Sequence, residues 1–414
     1  MRREDGMANT GKQANPGFAP TIHSFRHGAW LTSHSAHLRA LCDALATGGL
    51  CISLVVTLAA CGSSTGKHAT TPTAFPTLAA TFATHTIFLG DNPNPSEGEL
   101  VALNAQTGSM RWSFPMGATY STPALGAGNI YMAAQDSYAY AINATTGKLV
   151  WRFSRPQRVD GYPTLAAGVV YYTSDDGSVN ALDAASGRPL WSYHTPNPTD
   201  HLYSAPFVAN GLIYFGVGGF DDGLYALGAS TGKLRWNTAL PADAANGDAI
   251  VANGLVYVGA QDGALYALDA STGKLRWNYQ TDGGLNAGAT IVNDVAYVGS
   301  TDGTLYALDA TTGKLRWRYT TGDAISGYDA PSVFEGVVYI GSDDDHLYAL
   351  DATTGKLRWK FLASDKVRSS PVVVDDVVFF ASDDGSCYAL AASDGSLRWQ
   401  VSLRGAVETS PIAD

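Results

Sequence analysis

Few residues in this chain have the type and spacing that chemistry requires. His194 and His201 flank Asp200 in the segment HTPNPTDH. Two imidazoles and a carboxylate suit zinc, but a zinc site needs a further ligand at a fixed position, and this connector supplies none. Asp343-Asp344-Asp345 gathers three carboxylates without the alternating oxygen spacing of a calcium loop, so it reads as a polar hairpin turn. Cys387 occupies the place that Leu305 and Leu347 hold in sister segments, which marks it as core. His85 and His346 belong to no ligand pattern. Phosphate-binding loops, nucleophile elbows and zincin helices are absent from the sequence. These residues predict no catalytic group and no metal site.

The elements that would position any site come from one repeat. The phrase LYALDATTGKLRW recurs almost unchanged before Trp236, Trp277, Trp317 and Trp359, and looser copies end at Trp112, Trp151, Trp191 and Trp399. Successive tryptophans lie 39, 40, 45, 41, 40, 42 and 40 residues apart. A period of about 40–45 residues holding several short strands is the mark of a β-propeller. In the last repeat, 370–374, 377–382, 387–390 and 397–401 read as strands, with Asp375-Asp376, Asp384-Gly385 and Ser393-Asp394-Gly395 as turns. The fourth strand alternates: Leu357, Trp359 and Phe361 on one side, Lys356, Arg358 and Lys360 on the other. Basic side chains on an outermost strand discourage edge-to-edge pairing. The first repeat lacks an innermost strand, and Glu408-Thr409-Ser410-Pro411-Ile412 matches the innermost-strand phrase Arg368-Ser369-Ser370-Pro371-Val372. The expectation is an all-β, eight-bladed propeller whose C-terminal strand completes blade one.

Every repeat carries Ala, then Gly six residues on, then Trp four after that, as in Ala102/Gly108/Trp112 and Ala349/Gly355/Trp359. This pattern resembles the tryptophan-docking motif of the quinoprotein, or PQQ-repeat, propellers, over residues 84–414. The resemblance implies that each Trp packs between its own blade's Ala and the Gly peptide of the next blade, as glue and not as a cofactor box. The family has two branches. One holds dehydrogenases that use PQQ with Ca²⁺, many with a vicinal disulfide and long insertions. The other is non-catalytic and includes a lipoprotein that assists outer-membrane β-barrel assembly. A single Cys in the repeat region and a nearly constant period favour the second branch.

Residues 1–60 differ from the rest. A basic stretch precedes the apolar run ALATGGLCISLVVTLAA, and Leu58-Ala59-Ala60-Cys61 resembles the lipobox of bacterial lipoprotein signals, although the stretch before it is longer than such signals usually carry. That resemblance implies a signal peptide over 1–60, lipidation of Cys61, a tether over 61–83, and a body held outside the cytoplasmic membrane by its lipid anchor alone. The formal charge is −11 for the whole chain, and without residues 1–60, which carry five basic and three acidic side chains, it is −13. Such acidity disfavours nucleic-acid binding.

Residues common to all blades cannot make an asymmetric site, so departures matter. The face bearing the second-to-third turns should be acidic, with Asp136, Asp175, Asp176, Asp221, Asp222, Asp262, Asp302, Asp343, Asp344, Asp345, Asp383 and Asp384. Connectors add Tyr120, Arg158, Tyr162, Tyr203, Asn246, Asn286, Tyr328, Arg368 and Glu408 around the channel mouth. Tyr and Arg suit recognition. The expectation is a monomeric, non-enzymatic ring that binds a protein or peptide at this mouth. The alternatives are a PQQ enzyme and a small-ligand sensor on the acidic face. The opposite face, with balanced charges, should be inert.

Overall fold

The computed structural model describes residues 85–154, 161–174, 176–197, 202, 204–218, 223–241, 247–327, 330–405, 407 and 409–414. The expected signal, Cys61 and tether lie outside these residues. Each repeat forms an antiparallel meander of four strands, and among the described residues 32 strands build eight sheets. Seven sheets follow chain order. The eighth joins β3 (Met110–Met116), β2 (Glu97–Asn104), β1 (Thr86–Asn94) and β32 (Ile412–Ala413), so the C-terminal strand does complete blade one.

The second and third strands are buried on both faces, because each blade is covered by a neighbour on either side. That explains their dense Val, Tyr, Leu and Ala content. The core lies between blades: one cluster joins Ile87, Leu89 and Val101 to Phe379, Ala381 and Cys387 of blade eight. The innermost strands are only three residues long in blades two to eight. In the last repeat the innermost strand is Val372–Val374, because Pro371 ahead of it has no N–H to donate. Its other strands, Val377–Ser382, Ser386–Ala391 and Leu397–Ser402, agree closely with the expectation.

All eight tryptophans dock as the motif implies. Trp112, Trp151, Trp191, Trp236, Trp277, Trp317 and Trp359 each donate Nε1–H to an alanine carbonyl of the next blade, and Trp399 donates to Ala105 O at 2.9 Å, closing the circle. Each indole lies on the next blade's glycine. Gly355 shows why no other residue serves: its φ is +68°, and a Cβ there would lie 2.5 Å from Trp317 Cε3. Tyr131, Tyr171, Tyr214, Tyr257 and Tyr297 send hydroxyls to the same carbonyls, so five of these acceptors are used twice. Phe88 and Phe379 hold the equivalent positions in blades one and eight and have no hydroxyl.

The fourth strand departs from simple alternation. Ala349 pairs with Trp359, but Leu350 pairs with Leu357, so Arg358 is a bulge residue. The extra residue turns Leu357 away from the side of Trp359 and leaves it 43 % exposed. The same register shift recurs in all eight blades.

The seam carries a buried pair of acids. Asp91 and Glu99 face each other across β1 and β2, and both are buried. Asp91 accepts from the backbone N–H groups of Arg404 and Gly405 at 2.8 and 2.9 Å. Glu99 Oε1 accepts no hydrogen bond, and exposed Arg404 places Nε 3.5 Å from it. Burial raises the Asp91 pKa above 3.8, and the nearby Glu99 charge adds to the rise. A carboxyl raised on folding stabilises fully below its unfolded value, and that contribution is lost as pH climbs through the folded value. Glu99→Gln removes the like charge. The variant is expected to melt a few degrees (about 2–5 °C) above the parent at pH 8, with the gain vanishing near pH 4. Thermal denaturation across this range checks it; a gain that does not shrink in acid refutes the electrostatic account.

Candidate functional site

The connectors between blades are placed by a repeated device. Leu285, Ile325 and Val367 are buried, and their backbone N–H groups bond to Ala260 O, Ser300 O and Ser342 O, at or just past the end of the preceding blade's second strand. In extended chain the next residue points the other way. Those next residues are Asn286, Ser326 and Arg368. They join into a polar arc over blades six to eight. Asn286 Nδ2 approaches Ser326 O at 3.4 Å, and Ser326 donates to Asp343 Oδ1 at 2.8 Å. Arg368 grips both Asp343 oxygens, at 3.0 and 3.1 Å, and reaches Asp383 at 3.1 Å. Lys366 lies 3.3 Å from Asp343. Burial alone raises the Asp343 pKa, but Arg368, Ser326 and Lys366 together hold it below the usual carboxylate value.

The structure sorts the expected mouth residues unevenly. Tyr120, Tyr162, Asn286 and Arg368 are half-buried in connectors. Arg158, Tyr203, Asn246, Tyr328 and Glu408 lie outside the described residues. Ser326 and Lys366 were not in the expected set. Aligning connectors on their buried apolar residue would have found Ser326, which stands where Asn286 and Arg368 stand.

Much of the expected acidic face is structural. Asp136, Asp262, Asp302, Asp344 and Asp384 each accept from the Tyr hydroxyl four residues on, and from the backbone N–H two residues on. Burial and the adjacent carboxylate push Tyr306 up to about 12. Asp175, Asp221 and Asp222 are outside the described residues. The Asp343–Asp345 run is a hairpin turn, with Asp345 at φ +67°. His194 lies 4.0 Å from Asp176, and Asp200 and His201 are outside the described residues. Cys387 is fully buried, and burial pushes its thiol up to about 12. Among the described residues no three His, Cys, Asp or Glu side chains converge as a metal site, and no helix is long and apolar enough to cross a membrane.

Arg368→Ala strips Asp343 of its main counter-charge. Arg368 is partly exposed, so solvent screening reduces the effect. A loss of about 1–2 kcal/mol at pH 7 is expected. A lowered carboxylate stabilises above its unfolded pKa, so the difference from the parent should close as pH falls below about 3. Urea unfolding at pH 7 and pH 3 tests this, and an equal deficit at both values would refute it.

The fold defines a class: an eight-bladed propeller whose blades are docked by tryptophan on glycine, with an asymmetric polar arc formed by the connectors into blades six to eight. The family described as outer membrane protein assembly factor BamB matches residues 96–220, 200–330 and 325–413. The chain belongs to that family. Among solved structures, BamB from Moraxella catarrhalis is 19 % identical, over 70 % of this chain and 90 % of that one, with a TM-score of 0.61. A europium-containing methanol dehydrogenase is 17 % identical, over 73 % and 82 %, with a TM-score of 0.64. The computationally designed Ika8 protein is 16 % identical, over 70 % and 89 %, with a TM-score of 0.62. At such identities the likeness is one of fold. No protein of curated function matches the sequence.

Proposed function

We propose that this protein is a non-enzymatic scaffold that binds a protein or peptide partner at the polar mouth, outside the cytoplasm, in envelope protein assembly. The observation that carries the reading is the Asn286–Ser326–Asp343–Arg368–Asp383 arc, an asymmetric feature on an otherwise repetitive ring. Arg and amide groups there offer donors to peptide carbonyls and carboxylates. Membership of a family described by outer-membrane protein assembly supports the same reading. A lipidated Cys61 would place the monomeric ring at a bacterial membrane.

The quinoprotein reading fits the residues present less well. PQQ with Ca²⁺ calls for a cluster of acidic and amide ligands. Here Asp343 is closed by Arg368, Lys366 and Ser326, and the turn aspartates are held by tyrosines and backbone N–H groups. Cys387 sits in the blade core, with no neighbouring Cys for a vicinal disulfide.

A photoreactive amino acid at Asn286 or Tyr162 should crosslink in intact envelopes to an outer-membrane β-barrel protein or its assembly machinery. The same probe at Lys356, on the far face, should not. Equal crosslinking from both faces would sink the mouth as the binding site. Dye-linked alcohol oxidation after adding PQQ and Ca²⁺ would overturn the non-enzymatic reading.

A further inference from the structure

Ten large apolar side chains are exposed among the described residues, and nine occupy the first two positions of a fourth strand. They lie on the face opposite the mouth. The first-to-second and third-to-fourth turns meet there, as in the bond from Ala144 N to Gly128 O at 2.9 Å. The bulge described above is what turns these side chains outward.

Departures from the repeat divide this face. In blades two and three, Val150 and Leu190 replace the bulge arginine seen at Arg235, Arg276 and Arg316, and they are 45 % and 41 % exposed. Asn143 and Gly228 replace the turn aspartate of blades two and four. The inner turns of blades two to five carry no charge: Ala127-Gly128, Ala167-Gly168, Asn210-Gly211 and Asn253-Gly254. Those of blades six to eight carry Asp294, Glu335, Asp375 and Asp376. The turns and bulges of blades two to five therefore show Lys148, Arg188, Lys233, Arg235, Lys274 and Arg276 against only Asp183 and Asp269. Blades six to eight show five cations against seven carboxylates. Asp269 is already held by Arg276 at 2.8 Å and by the turn hydroxyls of Ser271 and Thr272.

We propose that the turn face of blades two to five docks on an anionic lipid bilayer. Leu149, Val150, Leu190 and Leu234 enter the headgroup layer, and Lys148, Arg188, Lys233 and Lys274 meet the phosphates. Charge selects the occupant. The chain is acidic, so an anionic surface repels most of it and attracts this sector. The apolar side chains are spaced around a rim, Leu149 and Leu234 directly after Lys148 and Lys233, and Val150 and Leu190 two residues after Lys148 and Arg188. A fluid interface accommodates that arrangement without a matching groove, the apolar part sinking while the cation stays with the headgroups.

The test is hydrogen–deuterium exchange of the full chain on vesicles rich in phosphatidylglycerol, read segment by segment. A lipid anchor would bring the whole ring near the membrane without favouring one sector. Exchange is expected to slow severalfold at 145–150, 185–190 and 230–235, and not at 311–316 or 353–358. Each basic residue near an anionic surface strengthens adsorption about fivefold, so Lys148→Glu/Lys233→Glu/Lys274→Glu should weaken it about a hundredfold or more. Lys314→Glu/Lys356→Glu should leave the pattern unchanged. All five lysines are exposed, so the variants should fold as the parent does. Equal protection in all blades, or protection that persists on phosphatidylcholine, overturns the proposal. Protection without vesicles that grows with protein concentration indicates a second copy instead, and also overturns it.

Discussion

A chain lacking residues 409–414 is expected to melt roughly 10 °C below the parent, a loss of about 5 kcal/mol. The segment is short, but it does several jobs at the seam. Ile412 and Ala413 pair with Phe88 and Ile87 and pack into the clusters on either side of blade one. Thr409 Oγ1 accepts from Gly90 N–H at 2.7 Å and donates back to Gly90 O at 3.1 Å. Asp414 accepts from Thr86 N–H at 2.7 Å and from the Thr86 hydroxyl at 3.0 Å, while His85 Nδ1 lies 2.5 Å from its carbonyl oxygen. Removal exposes the edge of β1 and leaves buried polar groups without partners. Scanning calorimetry of both chains checks this. A melting point within about 3 °C of the parent would show that the ring does not depend on its closing strand.

Trp→Ala at any docking position should cost about 3–5 kcal/mol, because a large apolar plane is lost between two blades that cannot move together to fill the gap. The more telling comparison is Trp→Phe. Trp317→Phe removes the bond to Ala352 O, yet Tyr297 still donates to that oxygen at 3.0 Å. Trp399→Phe removes the bond to Ala105 O, where Phe379 offers no hydroxyl in reserve. Trp399→Phe should therefore destabilise by about 1 kcal/mol more than Trp317→Phe. Urea denaturation of the pair decides it, and equal losses would mean that the tyrosine hydroxyls contribute nothing.

The ring was legible in the sequence because one physical demand is made eight times. A Trp that must lie flat on a left-handed Gly leaves the same spacing in every blade, and the C-terminal Ser-Pro phrase marks the missing strand. The tyrosine-held aspartates were read only as an open acidic surface, because their charge was visible in the sequence and the hydroxyl that each accepts from was not. The bulge was not legible: at Arg358 the residue types fit plain alternation, and only the cross-strand partner reveals the extra residue. The polar arc was half legible. Arg368 stood out by type, whereas Ser326 gains its meaning from Asp343 and Asn286, which reach it from other parts of the chain.

The buried acids and Phe379 of the seam bear on a problem that near-identical repeats create. Blades four to seven are so alike that one could dock on the wrong neighbour and satisfy every tryptophan. The junction of blades one and eight is distinguishable from the rest: Phe379 of blade eight, packed against blade one, stands where blades two to seven keep Tyr, and Asp91 of blade one accepts from the backbone N–H groups of Arg404 and Gly405. These unlike residues act as an address that the two ends of the chain share. The address lets the ring count its blades, since closure is rewarded only after the last one has arrived.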